Sequence, residues 1–309
     1  LIPTIADQLA ELTVYQRTAI WVSPKADFAV PGAARSLFAK LPLSQRLVRF
    51  TGSAVLEVMM VAGVLHYRKV PAANLMGANL CRAHLKNQIK DPTLRRKLTP
   101  NYSFGCKRPT FSNDYYPTFT KDHVHLETDP IARIDQTGIV TESGQRTETD
   151  TLILATGFDL WETNFPAFEV IGRQGRNLGE FWRSNRFQAY EGITVPGFPN
   201  LLSLNSPYSY SGLSYFTTIE SQMKHMSRLL SEVRRRKAKT FEVTDRANTE
   251  FLDRMTTKIG DSIFALGDCG SANSYYFNQH GEATLLRPTT TLNAFREAGS
   301  FDLDDYRYA

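Results

Sequence analysis

The residues best placed to do chemistry are cations at the ends of expected strands. Residues 2 to 11 read as a helix, with Ile2, Ile5, Leu9 and Leu12 spaced along one face. Leu12-Thr-Val-Tyr-Gln16 follows as a short strand and ends at Arg17-Thr18. A helix leading at once into a strand is the second half of a βαβ unit. The end of that second strand is where such folds read an adenosine ribose. An acidic residue there favours NAD, whereas arginine accommodates the 2′-phosphate of NADP, so Arg17-Thr18 points to NADPH. A second cationic pair, Lys107-Arg108, sits in the stretch from Pro100 to Tyr116, which is rich in glycine, proline, aromatic and polar residues. A loop of that length is expected to be functional rather than a simple connector. His123 and His125 share one face of a strand expected by alternation, but no third ligand is in sight and no metal is expected.

The elements that must position these groups can be read outward from Asp150 to Phe158, D-T-L-I-L-A-T-G-F. Thr151 to Ala155 is an apolar run suited to a strand buried on both faces, as in a parallel sheet. It stops on Thr156-Gly157, where backbone can approach a ligand with no Cβ in the way. Upstream, Gly138 to Thr141 and Arg146 to Asp150 flank a tight turn and predict a small hairpin. Downstream, Gly197-Phe-Pro-Asn200 turns into another expected buried strand. A helix then carries Ile219, Met223, Met226, Leu230 and Val233 on one side. Its end, Arg234-Arg-Arg-Lys237, complements the helix dipole. Ser262 to Asp268 mimics a strand-Gly-Asp flavin motif and is read as a decoy, because the segment from 201 to 233 already fills that slot. Between residues 23 and 103, prolines punctuate helical spacing, and the frequent Lys and Arg are read as solvated faces.

With 309 residues, 42% of them hydrophobic, the chain should hold about two domains. The net charge of +5 is mild and its cations are dispersed, which gives no case for nucleic acid. The three cysteines, Cys81, Cys106 and Cys269, are odd in number and form no C-x-x-C, so neither a disulfide framework nor a zinc site is expected, and a reducing cytoplasmic setting fits. The longest apolar stretch, about Ser53 to Leu65, is interrupted by Glu57 and too short for a bilayer, which needs about 20 residues. No transmembrane segment is expected, and weak contact with a membrane surface is the most it suggests. No G-x-G-x-x-G occurs anywhere. The chain begins on Leu1, inside what reads as a helix already under way, so a fragment is expected.

Several pieces agree in order and spacing: the opening L-I-P-T-I-A, Val14 to Trp21, Phe104-Gly-Cys-Lys-Arg108, Asp114-Tyr-Tyr116, the hairpin with A-T-G-F, and Gly197-Phe-Pro-Asn200. Together they resemble the later two-thirds of a class B flavoprotein monooxygenase of the Baeyer–Villiger type, without the amino-terminal FAD and NADPH glycine fingerprints. The resemblance implies an α/β, three-layer FAD/NAD(P)-binding Rossmann-like fold, incomplete, with a small β-meander and a helical insertion. It divides the chain into the end of an NADPH-binding βαβ unit (1–22), the insertion (23–103), the remainder of the NADPH domain with its hairpin (104–150), and the carboxy-terminal part of an FAD domain (151–309).

The same resemblance implies the cofactors FAD and NADPH. Arg17, Thr18 and Lys107 would grip the NADPH 2′-phosphate, and Arg108 would be the active-site arginine beside the flavin. Thr156, Gly157 and the Ser211-Gly212-Leu213 turn would face the flavin with backbone. The implied reaction places one atom of O2 into a small lipophilic substrate through a peroxyflavin, either ketone to ester or heteroatom or alkyl oxygenation. Two other readings stay open: a non-catalytic remnant of such an enzyme, and a flavoprotein reductase with two dinucleotide sites. Against the reductase, Lys107-Arg108 has no evident job in it and no redox C-x-x-C is present.

Overall fold

The computed structural model describes residues 1–163, 165–210 and 214–309. The chain divides into two units, one of residues 1–28, 76–158 and 270–273, the other of 29–75, 159–269 and 274–309.

The first unit contains β1 (Leu12–Tyr15), β2 (Val22–Ser23), β3 (Thr110–Phe111) and β4 (Val124–Glu127). β1 runs parallel to β4, with Leu12 opposite Val124 and Tyr15 opposite Glu127, and β2 runs parallel to β3. Leu12 and Val14, on either side of Thr13, turn one face of β1 to the core, and all four of its residues are half-buried. The core beneath joins Ala6, Val22, Leu85, Ile89, Leu98, Tyr116, Phe119 and Val124. The opening helix is shorter than its apolar spacing predicted. It covers Ile2–Ile5 and tightens to a 3-10 turn at Ala6–Gln8, because Leu12 is taken by the strand.

The expected hairpin is present and gains a third strand, so β5 (Ile131–Asp135), β6 (Gly138–Thr141) and β7 (Arg146–Glu148) form an antiparallel meander. Gly138 is required there, since a Cβ would lie 2.0 Å from the Thr147 carbonyl oxygen. Arg146 closes the meander with two hydrogen bonds to the Asp135 carboxylate, at 2.9 and 2.8 Å. The strand predicted for Thr151 to Ala155 is not formed. That segment is irregular, and Leu154 is 72% exposed. A strand buried on both faces needs neighbouring strands and covering helices, and no described residues supply them at this position.

The second unit is built on the helix Tyr215–Arg236, capped by the Ser214 hydroxyl and ended by Lys237 in a left-handed conformation. Its extent agrees with the sequence, but its buried face does not. Thr218, Ser221, Gln222, His225, Leu229 and Glu232 point inward together with Met226, whereas Met223 and Leu230 are exposed. Polar partners explain the rotation: His225 stacks on Phe301 with ring centroids 3.7 Å apart, and Gln222 donates to the Gly192 carbonyl at 2.7 Å. β8 (Phe241–Val243) and β9 (Tyr306–Tyr308) pair antiparallel beside this core. A second cluster gathers Trp161, Trp182, Phe187 and Phe198.

Leu201 to Asn205, expected as a strand, is irregular. Asn200 explains this: it exchanges hydrogen bonds with Phe241 at 3.0 and 3.1 Å and so directs the chain along the end of β8. Ser262 to Gly267 contains a short helix, Ile263–Leu266, rather than a strand. The apolar stretch read as Ser53 to Leu65 proves to be the end of a longer helical run, Pro42–Leu65. Its 24 residues are long and apolar enough to cross a membrane, the one such helix among the described residues.

Candidate functional site

Of the cations named from sequence, Arg17 and Lys107 lie near enough in the first unit for the charge of one to act on the other. Parallel pairing with β4 holds β1 straight, and the pairing continues past its end where the Gln16 N–H donates to the Glu127 carbonyl at 2.8 Å. The Gln16 side chain donates to the Lys97 carbonyl at 3.2 Å. Lys97 ends a short helix, Pro92–Lys97, whose Asp91 cap accepts from two backbone N–H groups. Arg17 therefore leaves a fixed strand end and is itself exposed. Thr18 is half-buried, and its hydroxyl accepts a hydrogen bond from Asn273 Nδ2 at 3.1 Å.

The loop bearing Lys107 is held by aromatic packing. Trp21 donates its indole N–H to the Tyr102 carbonyl at 3.1 Å and meets Phe104 edge to face at 5.8 Å. Phe104 in turn lies against Gly77 of the helix Pro71–Gln88, where a Cβ would stand 2.7 Å from the ring. Gly105 takes a φ of +98°, which turns the loop so that Lys107 becomes half-buried while Arg108 is exposed. Burial, and after it the positive charge of Arg17, holds the Lys107 ammonium below the usual lysine range. No ion pair joins either of these two cations to a carboxylate among the described residues. Two like charges held near one another without a carboxylate partner are an arrangement that can accept an anion.

Thr156 and Gly157 belong to the same unit and are exposed; Gly157 has a φ of +98° and nothing within 4 Å of where a Cβ would be. That position can admit a ligand close to backbone. Ser211, Gly212 and Leu213 lie outside the described residues. His123 and His125 are engaged elsewhere: His123 Nε2 lies 2.9 Å from the Ala6 carbonyl oxygen, and His125 pairs with Glu11 at 2.8 Å.

Sequence reasoning missed one polar cluster, in the core of the second unit. Arg287, 4% exposed, pairs with Glu191 and Glu297, and the adjoining small cavity is lined by Ser209, Ser221, Gln222 and His225 as well. His225 Nε2 lies 2.9 Å from the Tyr306 hydroxyl, and burial followed by the charges of Arg287 and Arg228 pushes its pKa down to about 3. These residues are scattered over a hundred positions with no shared spacing. Only the polar face of the helix Tyr215–Arg236 could have hinted at them.

Parallel pairing of β1 with β4 and of β2 with β3, with helices between the paired strands, is the arrangement of an α/β protein. Solved structures agree on the fold: cyclohexanone monooxygenase from Rhodococcus sp. Phi1 bound to NADP+ superposes with a TM-score of 0.80 at 22% identity, covering 99% of this chain and 64% of that one. OTEMO in complex with FAD and NADP gives 0.78 at 20% identity, covering 100% and 64%. Among curated proteins, a Baeyer–Villiger monooxygenase of Pseudomonas aeruginosa is 35% identical over 307 residues, which is 99% of this chain and 56% of the relative. Another, from Streptomyces coelicolor, is 30% identical over 310 residues, 99% and 58% respectively. No family model matches. By sequence and fold the chain is a relative of the class B flavoprotein monooxygenases of the Baeyer–Villiger type, and it spans a little over half the length of those curated relatives.

Proposed function

We propose that this chain is part of an FAD- and NADPH-dependent monooxygenase that places one atom of O2 into a small lipophilic substrate, with conversion of a ketone to an ester as the favoured reaction. Similarity along nearly the whole chain to Baeyer–Villiger monooxygenases carries the reading, and the nearness of Arg17 to Lys107, neither paired with a carboxylate among the described residues, supports its NADPH part. The names of its relatives, Baeyer–Villiger monooxygenases among them, support the ketone reaction over heteroatom oxygenation. In this reading residues 1–22 and 104–150 serve NADPH, 23–103 form an insertion and 151–309 serve FAD. A cytoplasmic setting goes with it.

The chain's own residues would act as follows. Arg17 and Lys107 bind the 2′-phosphate of NADPH, the guanidinium by a planar fork and the ammonium as a point charge. The Thr18 hydroxyl, held by Asn273, adds a neutral hydrogen bond. Thr156 and Gly157 let backbone approach the flavin. The chemistry that FAD would supply when bound is acceptance of hydride from NADPH and activation of O2. Arg108 stabilises negative charge developing on the substrate carbonyl oxygen, the usual service of a fixed cation in acyl chemistry.

Incubating the complete protein with NADPH, 18O2 and a panel of small cyclic ketones tests the proposal. One 18O atom should enter each product molecule per NADPH consumed. NADPH oxidation with no label in any product would favour the reductase reading.

A further inference from the structure

The Pro42–Leu56 helix has no buried residue, which is unusual for a helix so apolar. Leu43 (68% exposed), Leu47 (62%), Phe50 (68%) and Ala54 follow one helical face, and Val58 continues it. Val48 and Val55 widen the stripe and are also more than half exposed. Only 18% of its most apolar window is buried, so this is not the core helix of a soluble unit. The charge pattern is one-sided. From Ala29 to Leu56 the chain carries Arg35, Lys40, Arg46 and Arg49 and no Asp or Glu. None of these four cations pairs with a carboxylate among the described residues. Arg46 and Arg49 sit on the same turns as Leu43, Leu47 and Phe50, to one side of the stripe. The preceding helix, Gly32–Lys40, packs against this one and adds Leu37 and Leu41, both more than half exposed.

We propose that the Gly32–Leu56 helical pair is an interfacial docking surface for anionic lipid, lying in the membrane plane rather than crossing it. A large apolar face bordered by cations and free of carboxylates is complementary to that surface. The far end of the helical run argues against a crossing, because it is built into the second unit. Glu57 accepts from the Thr291 N–H at 2.7 Å and from the Thr291 hydroxyl at 2.9 Å. Val61, Val64 and Leu65 are buried, and Gly63 lies against the backbone of Ala73 and Asn74. The helix is thus held at one end by the globular unit, and the exposed length before Glu57 is available to lie on a surface. Apolar insertion and lipid charge act together, with roughly fivefold in affinity for each cation near an anionic leaflet.

Flotation of the complete protein with vesicles of phosphatidylcholine, with and without phosphatidylglycerol, tests the proposal. Flotation should require phosphatidylglycerol and weaken at high salt. Leu47→Asp with Phe50→Asp should abolish it, and Arg46→Glu with Arg49→Glu should weaken it at least tenfold. All four positions are exposed, so circular dichroism should show the fold retained. Phe50→Trp gives an independent readout, a blue-shifted emission on adding the anionic vesicles. No flotation, flotation unchanged by the double aspartate variant, or no emission shift would overturn the proposal. So would concentration-dependent self-association that the aspartates disrupt, since the face would then be a contact between copies of this chain.

Discussion

The guanidinium of Arg17 lies near enough to Lys107 to depress the pKa of that lysine, adding to the effect of its burial. Two cations pressed together in this way cost stability until an anion arrives. Arg17→Ala in the complete protein should therefore raise the KM for NADPH at least about tenfold and barely change that for NADH, since one charge-assisted contact is worth about 1.5–3 kcal/mol. The lysine must be protonated to hold a phosphate. Affinity for NADP+ should thus fall as pH rises through the lowered Lys107 pKa, before an ordinary lysine would titrate, and Lys107→Arg should remove that fall. Steady-state kinetics with the two nucleotides reads the first and titration calorimetry with NADP+ across neutral to alkaline pH the second, and equal losses with both nucleotides would make Arg17 structural.

Gly77 sets the position of the cationic loop through Phe104. Alanine elsewhere in a helix gains about 0.5–1 kcal/mol over glycine, but here its Cβ would enter the Phe104 ring, itself pinned by Trp21. Gly77→Ala should lower the melting temperature and weaken NADP+ binding several-fold, although Gly77 carries no group that could bind it. A variant with raised stability and unchanged affinity would show that the loop is placed by other contacts.

His225 gives the second unit a pH dependence. Its pKa is near 6.5 in an unfolded chain and about 3 in the fold, so the neutral form is the native one. The stability tied to this group is fully present above pH 6.5 and is lost as pH falls through the window toward 3. His225→Gln can still bond the Tyr306 hydroxyl but cannot titrate. Between pH 7 and 4 it should lose about 3 kcal/mol less stability than the parent protein, at about 1.36 kcal/mol per unit. Urea unfolding at the two pH values measures this, and parallel losses would assign the acid limb to carboxylates.

Arg287→Leu should destabilise the second unit by about 3–5 kcal/mol, because Glu191 would be left buried without its partner. Replacing both, Arg287→Leu with Glu191→Leu, should restore most of that loss. A neutral single variant would show that Glu191 takes up a proton at little cost.

The parts of the site legible in the sequence were those defined locally. Arg17 follows a short β-branched and aromatic strand directly after a helix, and Lys107 sits in a loop whose aromatic and glycine content sets it apart. The meander was legible because Gly144 and its polar neighbours fix a turn. The segment Thr151 to Ala155 was not, because its composition records a need for burial while partners decide whether burial occurs. The inward face of Tyr215–Arg236 was misread for a related reason. Counting Met and Leu assumes that apolar residues seek the core, whereas His225 and Gln222 are drawn inward by hydrogen bonds with distant residues, and Glu232 is paired with Arg236 one turn along the same helix.

The proposed oxygen transfer separates most sharply from simple flavin reduction at Arg108. In the complete protein, Arg108→Ala should leave a folded, yellow enzyme whose flavin NADPH still bleaches. Oxygenated product per NADPH consumed should fall about a hundredfold, the scale for removing one charge-stabilising group, and Arg108→Lys should rescue little, because a flexible ammonium does not reproduce a planar fork. Product yield measured beside NADPH consumption decides the matter. An alanine variant with unchanged yield would contradict the monooxygenase role given to Arg108 and return the reductase reading to first place.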